Sequence, residues 1–291
     1  MFSFETVERK KVKLKIGLTG PSGAGKTYSA IQLAKGIASS GDKIAFLDTE
    51  NGSAAYYSHL AKFKHENFKP PYTPERFIEA IEYCVGAGFE VMVVDSISHE
   101  WAGKGGCLEM VELVKAQHNI KMDMQAWKYI TPKHNAFIDA LRDSDIHLIG
   151  CIRSKQEYEL EKNDRGKVEV KKLGLKGVQR EGMDYEFGVV FDVNMSHFAS
   201  SSKDRTSLFT SREPFQITPE TGKELMAWAD EGAEEMYTGT NAQKVTFATI
   251  CKEFEISDPK AMLAMSEKLS GNVAMSELKT KIKEELDNGT E

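Results

Sequence analysis

Gly20-Pro21-Ser22-Gly23-Ala24-Gly25-Lys26-Thr27 fits the pattern G-x-x-x-x-G-K-[ST] at every fixed position. Such a run can bind the phosphates of ATP or GTP. Its glycines let the backbone curl so that N–H groups face phosphate oxygens, Lys26 neutralises charge near the β/γ bridge, and Thr27 offers a hydroxyl to Mg²⁺. Tyr28 completes the expected cofactor-binding run. Two acidic sites accompany the loop. Val91-Met92-Val93-Val94-Asp95-Ser96 reads as an apolar strand delivering an aspartate at its carboxyl end, where it can hold Mg²⁺ beside Thr27, or else cap a following helix. Ile44-Ala45-Phe46-Leu47-Asp48-Thr49-Glu50 sets carboxylates just past another strand, placed to polarise water for attack on a γ-phosphate. Glu50 is the candidate general base, while Asp48 tethers the turn or the metal's water shell; the two roles are exchangeable at this level.

The flanks supply the elements that must position these groups. Upstream, Val12 to Thr19 passes from polar/apolar alternation into an apolar strand edge; downstream, Ala30, Ile31, Ala34, Ile37 and Ala38 recur at helical spacing. Strands are expected at Lys43 to Leu47, Phe89 to Val94 and Ile146 to Ile152. Thr73-Pro74 and Thr131-Pro132 are each read as the start of a helix, with a capping hydroxyl and a proline in the first turn, and Gly86 and Gly88 as the end of the first. This alternation predicts an α/β fold with a mostly parallel central sheet. After Arg153, β-rich pieces at Gly188 to Met195 and Thr206 to Thr210 and a turn at Asn163-Asp164-Arg165-Gly166 predict an antiparallel extension. Thr218-Pro219 opens one more helix. Asp230 to Glu235, with Gly239-Thr240, reads as a linker between an ATPase core (1–232) and a small helical C-terminal unit (241–291).

Composition bounds the partners. With 44 acidic against 38 basic residues, a net charge of −6 argues against a general nucleic-acid coat, so any phosphate affinity must come from local clusters. No apolar run reaches the roughly 20 residues needed to span a bilayer. The first residues, Met1-Phe2-Ser3-Phe4-Glu5, lack a secretion signal, and a cytoplasmic location is expected, in the host cell if the gene is a phage's. The four cysteines, Cys84, Cys107, Cys151 and Cys251, show no C-x-x-C pair and no histidine at metal-ligand spacing, so reduced, mostly buried thiols are expected.

Phe46-Leu47-Asp48-Thr49-Glu50 followed by Val93-Val94-Asp95-Ser96 resembles the core of RecA-type recombinases. Leu148 to Arg153 resembles the strand ending in their γ-phosphate sensor, and Ser202 to Phe209 resembles the basic pair that reaches a neighbouring subunit's nucleotide. Trp127 with Thr131-Pro132-Lys133-His134, Arg153-Ser154-Lys155, Gln179-Arg180-Glu181-Gly182 and Asp184-Tyr185-Glu186-Phe187 are similar to the phage group of short RecA-like ATPases that act as single-strand annealing proteins. The resemblance covers roughly residues 7 to 230. It implies an ATPase using ATP and Mg²⁺, probing the γ-phosphate through Arg153, Ser154 or Lys155, since Cys151 stands at the sensor position. It implies a homo-oligomer in which Lys203 and Arg205 act in trans; read alone, those two are solvated strand-end charges. A short Phe2-Ser3-Phe4 arm docks on a neighbour or is a frayed terminus.

Lys155, Lys162, Arg165, Lys167, Lys171, Lys172, Lys176 and Arg180 form the most basic stretch of the chain, where the resemblance places a DNA-binding loop. Carboxylates interleave with them, so a solvated hairpin of mixed charge is the competing reading. Gly103-Lys104-Gly105-Gly106 falls where a first DNA loop would lie, or is an ordinary surface loop. The expected activity is ATP-dependent binding of single-stranded DNA with annealing or strand exchange, and a single-strand binding protein is a further expected partner. The alternatives are a small-molecule or nucleotide kinase built on the same phosphate loop and a regulatory ATPase acting on a protein partner.

Overall fold

The computed structural model describes residues 9–162, 168–233, 236–239, 241–254, 256 and 258–288. The chain divides into one unit of residues 13–228 and another of residues 229–291 with 1–12. The larger unit runs β1 (Lys15–Gly20), α1 (Lys26–Ile37), β2 (Ile44–Asp48), β3 (Lys64–Asn67), α2 (Pro74–Gly86), β4 (Val91–Asp95), α3 (Ser98–Ala102), α4 (Cys107–His118), α5 (Asp123–Asp143), β5 (His147–Lys162), β6 (Val168–Gly177), β7 (Val189–Val193), β8 (Ala199–Asp204) and α6 (Pro219–Asp230).

The strand order is β3-β2-β4-β5-β1-β7-β8, with β6 paired to β5. β1 to β5 and β7 pair in parallel; β8 on β7 and β6 on β5 are antiparallel. This is the α/β architecture with an antiparallel extension that the element alternation predicts. β2 and β4 are buried along their whole length because helices cover both faces, which explains their near-continuous apolar sequences. Met92, Val94, Leu148, Phe77, Phe137 and Phe187 share one core cluster. One strand, β5, separates the phosphate-loop strand β1 from the aspartate strand β4. It is paired so that Gly20 lies opposite Arg153 and Asp95 opposite Cys151.

Two local expectations are corrected and one strand is added. Helix α5 begins at Asp123, and Pro132 lies inside it instead of opening it. Ala126, Ile130, His134, Phe137 and Leu141 form a buried stripe that runs through the proline, and packing of that stripe outweighs one missing N–H. The strand expected at Thr206 to Thr210 is a turn. Asp204 Oδ1 accepts from Thr206 N at 2.8 Å and Oδ2 from Phe209 N at 2.7 Å, curling the backbone, with Ser207 at φ 62°. The antiparallel partner of β7 is instead the polar segment β8. β3, whose Lys-His-Glu-Asn sequence is wholly exposed, has no apolar signature and is missed from sequence; it is held on the sheet edge by backbone pairing to β2.

In the smaller unit α7 (Asn241–Glu253), α8 (Pro259–Leu269) and α9 (Leu278–Asn288) surround Tyr237, Phe247, Cys251, Leu269, Val273, Leu278 and Ile282. Tyr237 stacks on Phe247 with centroids 5.2 Å apart and its hydroxyl meets Ser266 Oγ at 2.5 Å, so a residue of the presumed linker is a core member. Lys11 N donates to Ala233 O at 2.9 Å and Val12 N to Ala229 O at 3.2 Å, which places residues 9–12 with this unit. The turn Asn163 to Gly166 and the Phe2-Ser3-Phe4 arm lie outside the described residues. No helix among the described residues is long and apolar enough to cross a membrane.

Candidate active site

The loop between β1 and α1 adopts the conformation its glycines permit. Gly23 and Gly25 have φ of 83° and 93°, values that L side chains rarely adopt, and Ala24 N donates back to Pro21 O at 3.3 Å. Gly25 immediately precedes α1, so the helix N-terminus with its unpaired N–H groups opens onto the loop. Lys26 is buried in the first turn, its Nζ donating to Gly20 O and Pro21 O at 2.9 Å each. A cleft of about 830 Å³ lies over this loop, lined by Ser22, Gly23, Lys26, Thr27, Tyr28, Glu50, Asp95 and Arg153 among others.

β4 delivers Asp95, 1% exposed, to the cleft floor, where its Oδ2 accepts from Thr27 Oγ1 at 2.5 Å. Burial pushes the Asp95 carboxyl up to about 6, against the pull of the Thr27 hydroxyl. A desolvated carboxylate facing Glu50 and Asp48 favours a cation, so Thr27 and Asp95 fit a divalent metal. Ser154 Oγ, in the cleft wall, is buried without a hydrogen-bond partner, and so is Ser96 Oγ. The loop, its lysine, the helix terminus and this spare hydroxyl fit a nucleoside triphosphate.

The turn after β2 separates its two acids. Asp48, fully buried, accepts from Glu50 N at 2.6 Å and Ala54 N at 2.8 Å within the turn and faces His65 Nε2 of β3 at 3.3 Å. Asp48 is therefore a turn tether. Glu50 reaches into the cleft, and its Oε1 accepts from Arg153 Nε at 2.8 Å. Arg153 sits where β5 leaves the parallel sheet, so the candidate base and the candidate γ-phosphate probe are in contact. Cys151 is buried beside Asp95, and burial raises its thiol well above the usual value, leaving a weak polar group at that position.

Several cleft residues carry no functional signal in the sequence: Tyr57, Val178, His197, Gln216, Ile217 and Thr218, the last read only as a helix start. They come from loops remote in the chain. His197, at φ 63° in the β7–β8 turn, meets Ala24 O through Nδ1 at 3.0 Å and so touches the phosphate loop. Only the order of strands brings that turn there.

Lys203 and Arg205 are not among the residues lining their own chain's cleft. Lys203 Nζ donates to Asp184 O at 2.9 Å and Tyr185 O at 2.6 Å, and Arg205 reaches Tyr185 O at 3.5 Å. Of the basic stretch, Lys155 and Lys176 are exposed at the root of the β5–β6 hairpin, and Arg180 donates to Asn135 Oδ1 at 3.2 Å. Arg165 and Lys167 lie outside the described residues, as do the side chains of Lys162, Lys171 and Lys172.

The fold also assembles a buried polar cluster that sequence spacing hides. Glu100 Oε1 accepts from Cys107 Sγ and meets His134 Nδ1, both at 3.0 Å, while Oε2 accepts from Gln179 Nε2 at 3.1 Å. Glu100, Cys107 and His134 thus converge from three helices, and Gln179, just past the end of β6, closes the network.

No curated protein matches the chain. Among solved structures, a KaiC-like protein from the hyperthermophilic archaeon Pyrococcus horikoshii OT3 superposes with a TM-score of 0.40 at 16% identity, covering 74% of this chain and 97% of that one, too slight a likeness to carry an argument. The profile of the family described as AAA domain (AAA_24) matches residues 12–226, almost the whole of the unit that builds the cleft. On that match and the site it encloses, the chain belongs to the AAA domain family and is a P-loop ATPase.

Proposed function

We propose that this ATPase acts on single-stranded DNA, binding it in an ATP-dependent way and promoting annealing or strand exchange. The observation that supports this reading is the course of β5. Its first half is an interior strand of the parallel sheet, Arg153 stands in the nucleotide cleft, and the same strand continues outward as one arm of the basic hairpin, with Lys155 exposed two residues on. A continuous strand connecting the two places offers a direct route by which nucleotide state would alter the hairpin, and lysines and arginines there would meet backbone phosphates.

In the reaction, Lys26 and the loop amides would hold the β- and γ-phosphates of ATP. Thr27 and Asp95 would hold Mg²⁺, which supplies charge neutralisation on those oxygens. Glu50 takes the proton of the attacking water as its oxygen bonds to γ-phosphorus and the bond to the β,γ-bridging oxygen breaks. Arg153, released from Glu50, supplies positive charge at the transferred group. Lys203 and Arg205, turned away from their own cleft, are available to a neighbouring copy in an oligomer, with a single-strand binding protein as a further partner.

Steady-state ATP hydrolysis without DNA, with single strands and with duplex tests the reading. Strong stimulation by single strands, lost in Lys26→Ala and Glu50→Gln, is the expected result. Hydrolysis indifferent to DNA would sink the single-strand mechanism.

A further inference from the structure

Glu50 is useful as a base only if its backbone is held still, and its neighbour Thr49 is fastened at every polar atom. Thr49 N donates to Asp95 O at 2.8 Å, Thr49 Oγ1 accepts from Ser96 N at 2.7 Å and meets His99 Nδ1 at 2.5 Å, and Thr49 O accepts from Tyr72 Oη at 3.2 Å. Thr49 is 3% exposed and Tyr72 7%. Tyr72 and His99 are themselves one unit, their rings stacked with centroids 4.9 Å apart and planes 15° from parallel.

The other side of this pair carries the glycine loop after α3. Tyr72 N donates to Lys104 O at 2.8 Å, and Gly103 N donates to His99 O at 2.8 Å. Packing there is close enough that a Cβ on Gly103 would come within 2.7 Å of Tyr72 Cδ2 and 2.5 Å of His99 O. The loop, the stacked rings and Thr49 therefore form one contiguous contact path ending at Glu50.

We infer that Tyr72 and His99 are positioning residues for ATP hydrolysis, fixing the Thr49-Glu50 turn and joining the Gly103–Gly106 loop to the base. The inference rests on Glu50 as the base and requires no DNA. Neither aromatic touches the nucleotide cleft, so their contribution falls on turnover and leaves substrate binding alone.

The test is basal ATP hydrolysis by the full chain in the absence of DNA, with KM and melting temperature measured alongside. Tyr72→Phe removes only the hydroxyl bond to Thr49 and keeps the stack. It is expected to lower kcat by about tenfold, less than the ~10²-fold that a 1 Å misplacement costs, with KM and melting temperature unchanged. Gly103→Ala is expected to lower kcat likewise by displacing the ring, with some loss of melting temperature because its Cβ crowds His99 O, and the double variant to lose no more kcat than the worse single one, because both act through one contact. His99→Phe, which keeps the stack and loses the bond to Thr49, replaces Gly103→Ala if that chain does not fold. A kcat within twofold of wild type in Tyr72→Phe, a loss in that variant matched by raised KM or lowered melting temperature, or multiplicative kcat losses in the double variant would overturn the inference. Glu50→Gln in the same assay separates the two failures: if it hydrolyses normally, the base assignment is wrong; if it is inactive while Tyr72→Phe is normal, the positioning role is wrong.

Discussion

At the residue scale the Glu50–Arg153 pair matters most. Both partners are partly open to solvent, at 29% and 44% side-chain exposure, so their attraction is screened and contributes no more than about 1 kcal/mol to folding. For the proposed hydrolysis its value would lie in placing the candidate base beside the candidate γ-phosphate probe in the cleft. Arg153→Ala is accordingly expected to lower hydrolysis at least tenfold while shifting unfolding free energy by less than about 1 kcal/mol; parallel kinetics and urea titrations would check this. Glu50→Gln preserves size and loses basicity, so equilibrium ATP binding should persist while single-turnover hydrolysis falls by about 10² to 10⁴. A Glu50→Gln chain that fails to bind ATP would assign Glu50 to binding instead.

At the scale of elements, the sheet is tied beneath the site by His147, the first residue of β5. His147 Nδ1 accepts from Leu14 N at 3.1 Å, which requires an unprotonated nitrogen there, and burial pushes the imidazole down to about 3, assisted by Lys13 and Lys15. The folded value lies below the unfolded 6.5, so the unfolded chain binds the extra proton between them. Stability from this site is complete above about pH 6.5 and is lost as pH falls toward 3, with a slope of up to about 1.4 kcal/mol per pH unit. His147→Asn keeps an acceptor for Leu14 N and does not titrate, so its stability should fall less steeply than wild type between pH 6.5 and 4 in urea melts. Two helices meet with no room to spare: a Cβ on Gly36 of α1 would lie 2.0 Å from Pro219 O, and one on Gly222 of α6 2.4 Å from Leu33 O. Either residue changed to Ala should lower stability by about 1–3 kcal/mol, measured by the same titration.

For the whole molecule, the location of Lys203 and Arg205 outside their own cleft makes a mixing experiment decisive for the proposed assembly. Lys26→Ala retains the basic pair and Arg205→Ala retains the phosphate loop; mixed, the two inactive chains should recover part of the single-strand-stimulated hydrolysis if the pair serves a neighbour. No recovery over a range of ratios would confine catalysis to one chain. The proposed hairpin binding is electrostatic, so the logarithm of the affinity for single strands should fall about linearly with log salt concentration, with a slope near −0.7 per phosphate contact.

The phosphate loop, the aspartate at the end of β4 and the turn acids were legible in the sequence because each depends on local chemistry: a glycine pattern, a strand end, a carboxylate two residues past a strand. Strand and helix alternation likewise predicts the parallel sheet, since burial on both faces leaves continuous apolar runs. Tertiary structure alone decided the rest. The edge strand β3 and the polar β8 have no apolar face to announce them; they exist because backbone groups of neighbouring strands need partners. The Pro132 signal misled because a long-range buried stripe outweighs one missing hydrogen bond. Arg153 meeting Glu50, His197 reaching the phosphate loop and Glu100 gathering His134 and Gln179 all join residues tens of positions apart or more, and only the tertiary arrangement of strands and helices sets such distances.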